Sequence, residues 1–257
     1  MSLTGRHALV CGASSGIGRA TAIALAALGC DVTGLARRRD RLETLLPELA
    51  QAGSGQHGIL VADLDEHEDL LAKVDALVFR PVHILVNNTG GPKGGPLAKA
   101  DAEELRAAFH RHVLAAHQLT QRCLPSMQDA GYGRIVNVLS TSVYEPIAGL
   151  GVSNTIRAAM AGWAKSLASE LPPGLTINNV LPGFTDTERF GSLQQARATN
   201  TGTSAEAVHA AWLSMVPERR LARPEETAAA VAFLCSPDGA YIRGVSLPVD
   251  GGRLRGV

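Results

Sequence analysis

The 257-residue sequence predicts a doubly wound α/β fold of the Rossmann type in a single domain, 1–257, with a mostly parallel sheet covered by helices on both faces. Three observations predict it. Short runs rich in Val, Ile and Leu alternate with longer helical patterns; a glycine-rich turn follows the first run and opens a helix; no internal repeat or long linker divides the chain.

The elements follow in order. HALVCG leads into a helical pattern over 16–28, DVTGLA into 39–52, HGILVA into 66–79, and HILVNN into a long segment over 101–127. RIVNVLS precedes GVSNTIRAAMAGWAKSLASE, residues 151–170, which reads as the start and body of a helix with one buried face. LTINNVLP, a polar stretch, a helix at 224–236 and the strand VSLPVD complete the series. Strands separated by helices at this spacing are joined by right-handed crossovers and lie parallel. Residues 191–204, GSLQQARATNTGTS, are small and polar and precede an apolar patch with Trp212 and Met215. Insertions beyond a strand's C-terminal end are where such sheets carry substrate lids, so a lid is expected around 184–220; a solvated surface loop is the competing reading.

Composition narrows the function classes. Hydrophobic residues make up 46% and charged residues 19%, enough for a sizeable core. The 24 Lys and Arg balance the 24 Asp and Glu, so no net field draws the chain to nucleic acid or an anionic membrane, and a small-molecule partner is expected. Cys11, Cys30, Cys123 and Cys235 lie far apart and form no C-x-x-C pair, which suggests neither zinc nor a disulfide framework. MSLTGRHALV lacks the charged-then-apolar layout of a secretory leader, and no apolar run approaches the ~20 residues needed to span a bilayer. A cytoplasmic protein is expected.

The first chemical motif is CGASSGIGRA. Gly12, Gly16 and Gly18 let the backbone turn tightly, so that Ser14, Ser15 and Ile17 bring free N–H groups at a helix N-terminus to a diphosphate. The second predicted strand then ends in Leu35-Ala36 and runs into Arg37, Arg38 and Arg39, where an NAD site would place an acid for the ribose hydroxyls. Ala36 leaves room, and Arg37 or Arg38 suits a 2′-phosphate, so NADP(H) is expected over NAD(H). Arginines that merely solvate the next helix are the competing reading.

With these motifs, Asp63 in VADLD, NNTG at 87–90, GRIVNVLS at 133–140, LPGFTDTER at 181–189, RPEETAAAVAFLCS at 223–236 and VDGG at 249–252 resemble, in order and spacing, those of the short-chain dehydrogenase/reductase family over nearly the whole chain. The resemblance implies hydride transfer between a nicotinamide and a carbonyl or alcohol. It implies that Asp63 and Leu64 hold the adenine and that Asn88 and Gly90 line the cofactor groove. By the same likeness Pro182, Gly183, Thr185 and Thr187 cover a nicotinamide face and the diphosphate. It also implies a dimer or tetramer, for which Ile156, Met160, Trp163 and Leu167 form an apolar stripe that could equally pack on the sheet.

The family's proton-handling set is a Tyr, a Lys four residues later, a Ser and an Asn. Ser140 matches the serine, whereas the tyrosine position falls on Ser153, the lysine position on Arg157 and the asparagine position on His112. A serine hydroxyl is a poor proton source, and an arginine stays charged, able to bind the nicotinamide ribose and stabilise an oxyanion but not to relay protons. Tyr144, four residues after Ser140, is the expected replacement donor, and His112 a weaker one. No metal site is expected, because the helix histidines lack a carboxylate partner. The expectation is an NADP(H)-dependent oxidoreductase acting on a carbonyl, an alcohol or a conjugated enone or acyl substrate. Its rival is a nucleotide-binding sensor or partner subunit that no longer catalyses.

Overall fold

The computed structural model describes residues 1–77 and 80–256, which surround one seven-stranded parallel sheet. In chain order the elements are β1 (His7–Cys11), α1 (Gly16–Ala27), β2 (Asp31–Ala36), α2 (Arg39–Glu43), α3 (Leu45–Ala52), β3 (Gly58–Val61), α4 (His67–Asp75), β4 (Ile84–Asn87), α5 (Ala102–Phe109), α6 (Ala115–Asp129) and β5 (Gly133–Val138). There follow α7 (Gly151–Glu170), β6 (Leu175–Pro182), α8 (Glu188–Thr201), α9 (Ala205–Ser214), α10 (Pro224–Cys235) and β7 (Ser246–Val249). The lateral order β3-β2-β1-β4-β5-β6-β7 reverses the winding between β1 and β4. There the loops leaving the two strands diverge and open a crevice at their C-terminal ends.

Period-two alternation divides the core. Ala8 and Val10, Ile84 and Val86, and Val136 and Val138 pack with Leu25, Leu45, Leu49, Val231 and Leu234 of α1, α3 and α10. Leu9, Leu85 and Ile135, one residue out of phase, pack with Leu70, Leu119, Met127 and Ala164 of α4, α6 and α7. Within the sheet, Asn87 Nδ2 donates to Asn137 Oδ1 at 2.9 Å, Asn137 Nδ2 to Asn179 Oδ1 at 2.9 Å, and Asn179 Nδ2 to Ser246 Oγ at 3.0 Å. This amide ladder crosses β4 to β7 and satisfies buried polar groups that would otherwise destabilise the sheet. It also ties the four strands at one register, because each donor meets the acceptor directly opposite.

Four segments depart from the sequence-based expectation. Pro47 offers no N–H to the Glu43 carbonyl, and the helix predicted over 39–52 divides into α2 and α3 at Thr44. The one predicted over 66–79 stops at Asp75, and positions 78–79 lie outside the described residues. In the 101–127 segment, Asp101 caps α5 by accepting from the Glu104 N–H at 2.8 Å, and a π-helical turn at His110–Leu114 separates α5 from α6. The polar stretch 191–204, read as part of a lid or as a surface loop, is helical as far as Thr201. Thr187 and Ser204 cap α8 and α9 by accepting from the N–H groups of Phe190 and Ala207, and Gly202, at φ 66°, ends α8. Phe184 and Trp212 stack at 5.3 Å with Phe190 edge-on to both, which pins the two helices together.

Ile156 and Met160 are buried against Val113 and Ala116, so this part of the stripe on α7 is consumed inside the chain. Among the described residues no helix is long and apolar enough to cross a membrane.

Candidate active site

The crevice at the β1/β4 switch is the mouth of a groove of about 1080 Å³, at the upper end of the size range for small-molecule sites. It runs from the first glycine turn, past the ends of β4 and β5, to the inner face of α8.

At one end the backbone forms a cradle. Gly12 and Gly16 have φ of 64° and 54°, a region glycine enters without penalty. A Cβ on Gly18 would lie 2.2 Å from the Gly12 carbonyl oxygen, and one on Gly12 2.6 Å from the Asn88 amide and carbonyl. The turn therefore closes onto the start of α1 and onto the β4 loop only because these positions carry no side chain. Asn88 fastens the contact by donating from Nδ2 to the Cys11 carbonyl at 3.3 Å. Ser14, Ser15, Gly16 and Ile17 then line the groove at the helix N-terminus, with Thr187 across from Gly16. Gly18 shapes the cradle from behind and does not line it.

Beside this turn, Arg38 donates to Ser14 Oγ at 3.3 Å and Ser15 Oγ at 3.0 Å. The Glu188 carboxylate reaches over from α8 to Arg38 at 3.4 Å and Arg41 at 3.5 Å, while Arg37 pairs with Asp63 at 3.6 Å. Arg38 is thus held at the loop. Leu64, Asn88, Gly90, Pro182, Gly183 and Thr185 line the stretch between. Gly-enforced N–H groups at a helix end, hydroxyls and an arginine cluster form the donor set a phosphorylated dinucleotide needs, and the residues present fit one.

The other end holds Ser140, Ser153 and Arg157. Ser140 ends the strand-β5 segment. Its Oγ accepts from the Ser142 N–H at 3.1 Å, which leaves its own O–H free to donate toward the groove. Ser153 lies in the first turn of α7, which begins at Gly151, and Arg157 is one turn further on the same face. Arg157 is only 7% exposed. Its Nη1 donates to the Val138 carbonyl at 3.0 Å and its Nη2 to the Thr89 carbonyl at 3.3 Å, so the guanidinium bridges the ends of β5 and β4 beneath the groove. Burial, and secondarily the charge of Arg189, pushes its pKa down to about 10, leaving it a cation at neutral pH.

The two replacement proton donors are not brought to this place. Tyr144 lies after a short 3₁₀ turn, Thr141–Val143, and is not among the residues lining the groove; it is 58% exposed, and its hydroxyl donates to the Ser246 carbonyl at 3.0 Å. The structure thus does not bring Tyr144, the expected replacement donor, into the groove. His112 is 3% exposed, below the groove in a small void next to Arg157. Its Nδ1 is paired with the Thr89 hydroxyl and its Nε2 has no partner. Burial, with the charges of Arg157 and Arg111, drives its pKa down to about 2. A neutral imidazole at that depth is not a general acid near pH 7. Among the described residues no cluster of potential metal ligands is present.

Residues that the sequence did not single out complete the far wall. Arg189, Leu193, Arg197 and Asn200 line the groove from α8, and Lys93 and Lys99 from the loop after β4. Their spacing along 189–200 is one helical face, but a segment with few apolar residues shows no hydrophobic period to reveal it.

Residues 12–253 match the family model described as enoyl-(acyl carrier protein) reductase. The 3-oxoacyl-[acyl-carrier-protein] reductase FabG of Vibrio cholerae is 35% identical, the alignment covering 98% of each chain. Among solved structures, L-sorbose reductase from Gluconobacter frateurii, complexed with NADPH and L-sorbose, superposes with a TM-score of 0.92 at 28% identity over 100% of this chain and 99% of that one. YwfH, an NADPH-dependent reductase involved in bacilysin biosynthesis, gives 0.91 at 26% identity over 98% and 99%.

Proposed function

The chain belongs to the short-chain dehydrogenase/reductase family, and from that premise we propose that it is an NADP(H)-dependent oxidoreductase transferring hydride between the nicotinamide and a carbonyl or, preferentially, a conjugated enone or acyl substrate. The observation that carries this reading is the continuity of one groove from the glycine cradle and Arg38 to Ser140, Ser153 and Arg157. Gly16, Ile17, Thr185 and Thr187 would hold the diphosphate, Arg38 with Arg37 the 2′-phosphate, Asp63 and Leu64 the adenine, and Arg157 the nicotinamide ribose. When bound, the dinucleotide supplies the hydride.

Ser153 and Arg157 stand at the family's tyrosine and lysine positions, and that pair determines the chemistry left to the protein. Ser140 and Ser153 donate hydrogen bonds to the substrate oxygen, and Arg157 stabilises the negative charge that accumulates on it. None of the three surrenders a proton near pH 7, and neither Tyr144 nor His112 is poised to, so water supplies it. An enone suits such a site because its charge is delocalised and protonation can follow later. The α8–α9 segment, within 184–220, acts as the lid over this end.

A pH–rate profile with NADPH and a panel of enones and ketones tests the reading. Because His112 is already neutral above about pH 2 and Arg157 stays charged until about pH 10, kcat/KM is expected to be flat between roughly pH 6 and 9 and to fall as Arg157 loses its proton. Tyr144→Phe, which removes only a surface hydrogen bond, should trace the same curve. An inflection near neutrality, or loss of turnover in Tyr144→Phe, would point to a titrating donor instead.

A further inference from the structure

Charge along the groove falls into two zones. At the cradle end the lining carboxylates are already engaged, Asp63 with Arg37 and Glu188 with Arg38 and Arg41. At the other end the lining cations are Arg111, which pairs with Asp65, and a further five, Lys93, Lys99, Arg157, Arg189 and Arg197; no carboxylate lies among the lining residues there. None of these five forms an ion pair among the described residues.

Exposed lysines can remain unpaired at little cost, but Arg157 and Arg189 cannot be dismissed so easily. Arg157 is buried and Arg189 half-buried, and their N–H groups go to the backbone carbonyls of Val138, Thr89 and Pro92. Carbonyl dipoles satisfy donors without neutralising charge, so two desolvated guanidinium groups face one cleft with no counter-ion. Burial holds the pKa of each below the usual arginine value, and the charge of Arg189 lowers that of Arg157 further. An entering anion would relieve both effects.

The arms of α8 are shaped for such a guest. Arg189, Leu193 and Arg197 recur every four residues along one face. The guanidinium of Arg189 lies over Gly91 and that of Arg197 over Gly149, where an added Cβ would come within 3.1 Å of Arg189 Nη2 and 3.2 Å of Arg197 Nη1. The two glycines thus leave room for the arginines to reach across the cleft from the lid helix to the loops after β4 and β5. Leu150, Leu193 and Trp212 give the same end apolar walls.

We propose that the substrate is a carbonyl or enone compound bearing a carboxylate or phosphate group, and that Arg189 and Arg197 clamp this anion beside Ser140, Ser153 and Arg157. The proposal rests on the reductase reading for which end of the groove receives substrate. A planar guanidinium fork suits either oxyanion, and α8 would be drawn down as the anion binds.

Calorimetry on the full chain, with and without saturating NADP⁺, tests it with two matched pairs: acetoacetate against ethyl acetoacetate, and dihydroxyacetone phosphate against dihydroxyacetone. One pair is expected to show roughly ten- to hundredfold tighter binding of its anionic member, the worth of a hydrogen-bonded charge contact, and which pair responds identifies the anion. Arg189→Gln should abolish that preference while leaving the NADPH dissociation constant unchanged. Arg189→Lys should keep part of it, and Arg197→Gln, an exposed change with no folding burden, should weaken it. Equal binding within both pairs overturns the proposal. So does an Arg189→Gln protein that loses NADPH affinity but keeps the preference, since the cation would then serve the nucleotide. An anion preference in wild-type protein that binds no NADPH would support the clamp while removing the reductase reading.

Discussion

Arg157→Gln is expected to lower kcat by roughly two to three orders of magnitude, the usual consequence of removing one preorganised donor from a developing oxyanion. The loss should be larger than in a site with a proton-donating side chain. With Tyr144 facing solvent and His112 neutral, the proposed function leaves charge stabilisation as the protein's main contribution at the reacting oxygen. A glutamine amide is neutral and shorter, and it would also leave the Val138 and Thr89 carbonyls without their donor, a cost of about 1–3 kcal/mol of stability for each group left buried and unpaired. Melting curves recorded beside the kinetics separate the two effects. Arg157→Lys retains a positive charge without the fork and should recover part of the rate but not all of it. Wild-type kcat in a folded Arg157→Gln protein would show that the guanidinium is structural.

Gly18→Ala should be the most damaging small change at the cradle. Its methyl would sit 2.2 Å from the Gly12 carbonyl oxygen and 2.6 Å from Asn88 Nδ2, both fixed by neighbouring strands. Overpacking of this kind costs about 1–3 kcal/mol, and any relief must move the start of α1 away from Gly12, which displaces the N–H groups meant for the diphosphate. We expect a lowered melting temperature together with loss of saturable NADPH binding. Gly162→Ala in α7 is the control: it does not line the groove, and no atom lies within 4 Å of its added Cβ. Normal nucleotide affinity in Gly18→Ala would mean that the turn does not hold the phosphates.

What the sequence disclosed and what it hid divide along physical lines. The seven strands were legible because strands buried on both faces are short apolar runs, and the glycine turn because its spacing has a steric cause that the clash distances at Gly12 and Gly18 now display. Helix α8 was hidden because its stability comes from end caps and a few buried contacts such as Phe190 and Ala198, not from an apolar stripe. With it were hidden Arg189 and Arg197. Tyr144 was misplaced because four residues from Ser140 says nothing about direction once a 3₁₀ turn intervenes. The depth of His112, set by the π-helical turn between α5 and α6, is equally a tertiary property.

The proposed reaction begins with capture of a phosphorylated dinucleotide, and a calorimetric titration of the folded wild-type chain with NADPH and, separately, NADH tests that most directly. The structure predicts a saturable heat for both and roughly tenfold or greater preference for NADPH, from the arginine fork on the 2′-phosphate. No heat from either nucleotide at millimolar concentration, or equal affinity for the two, would contradict it.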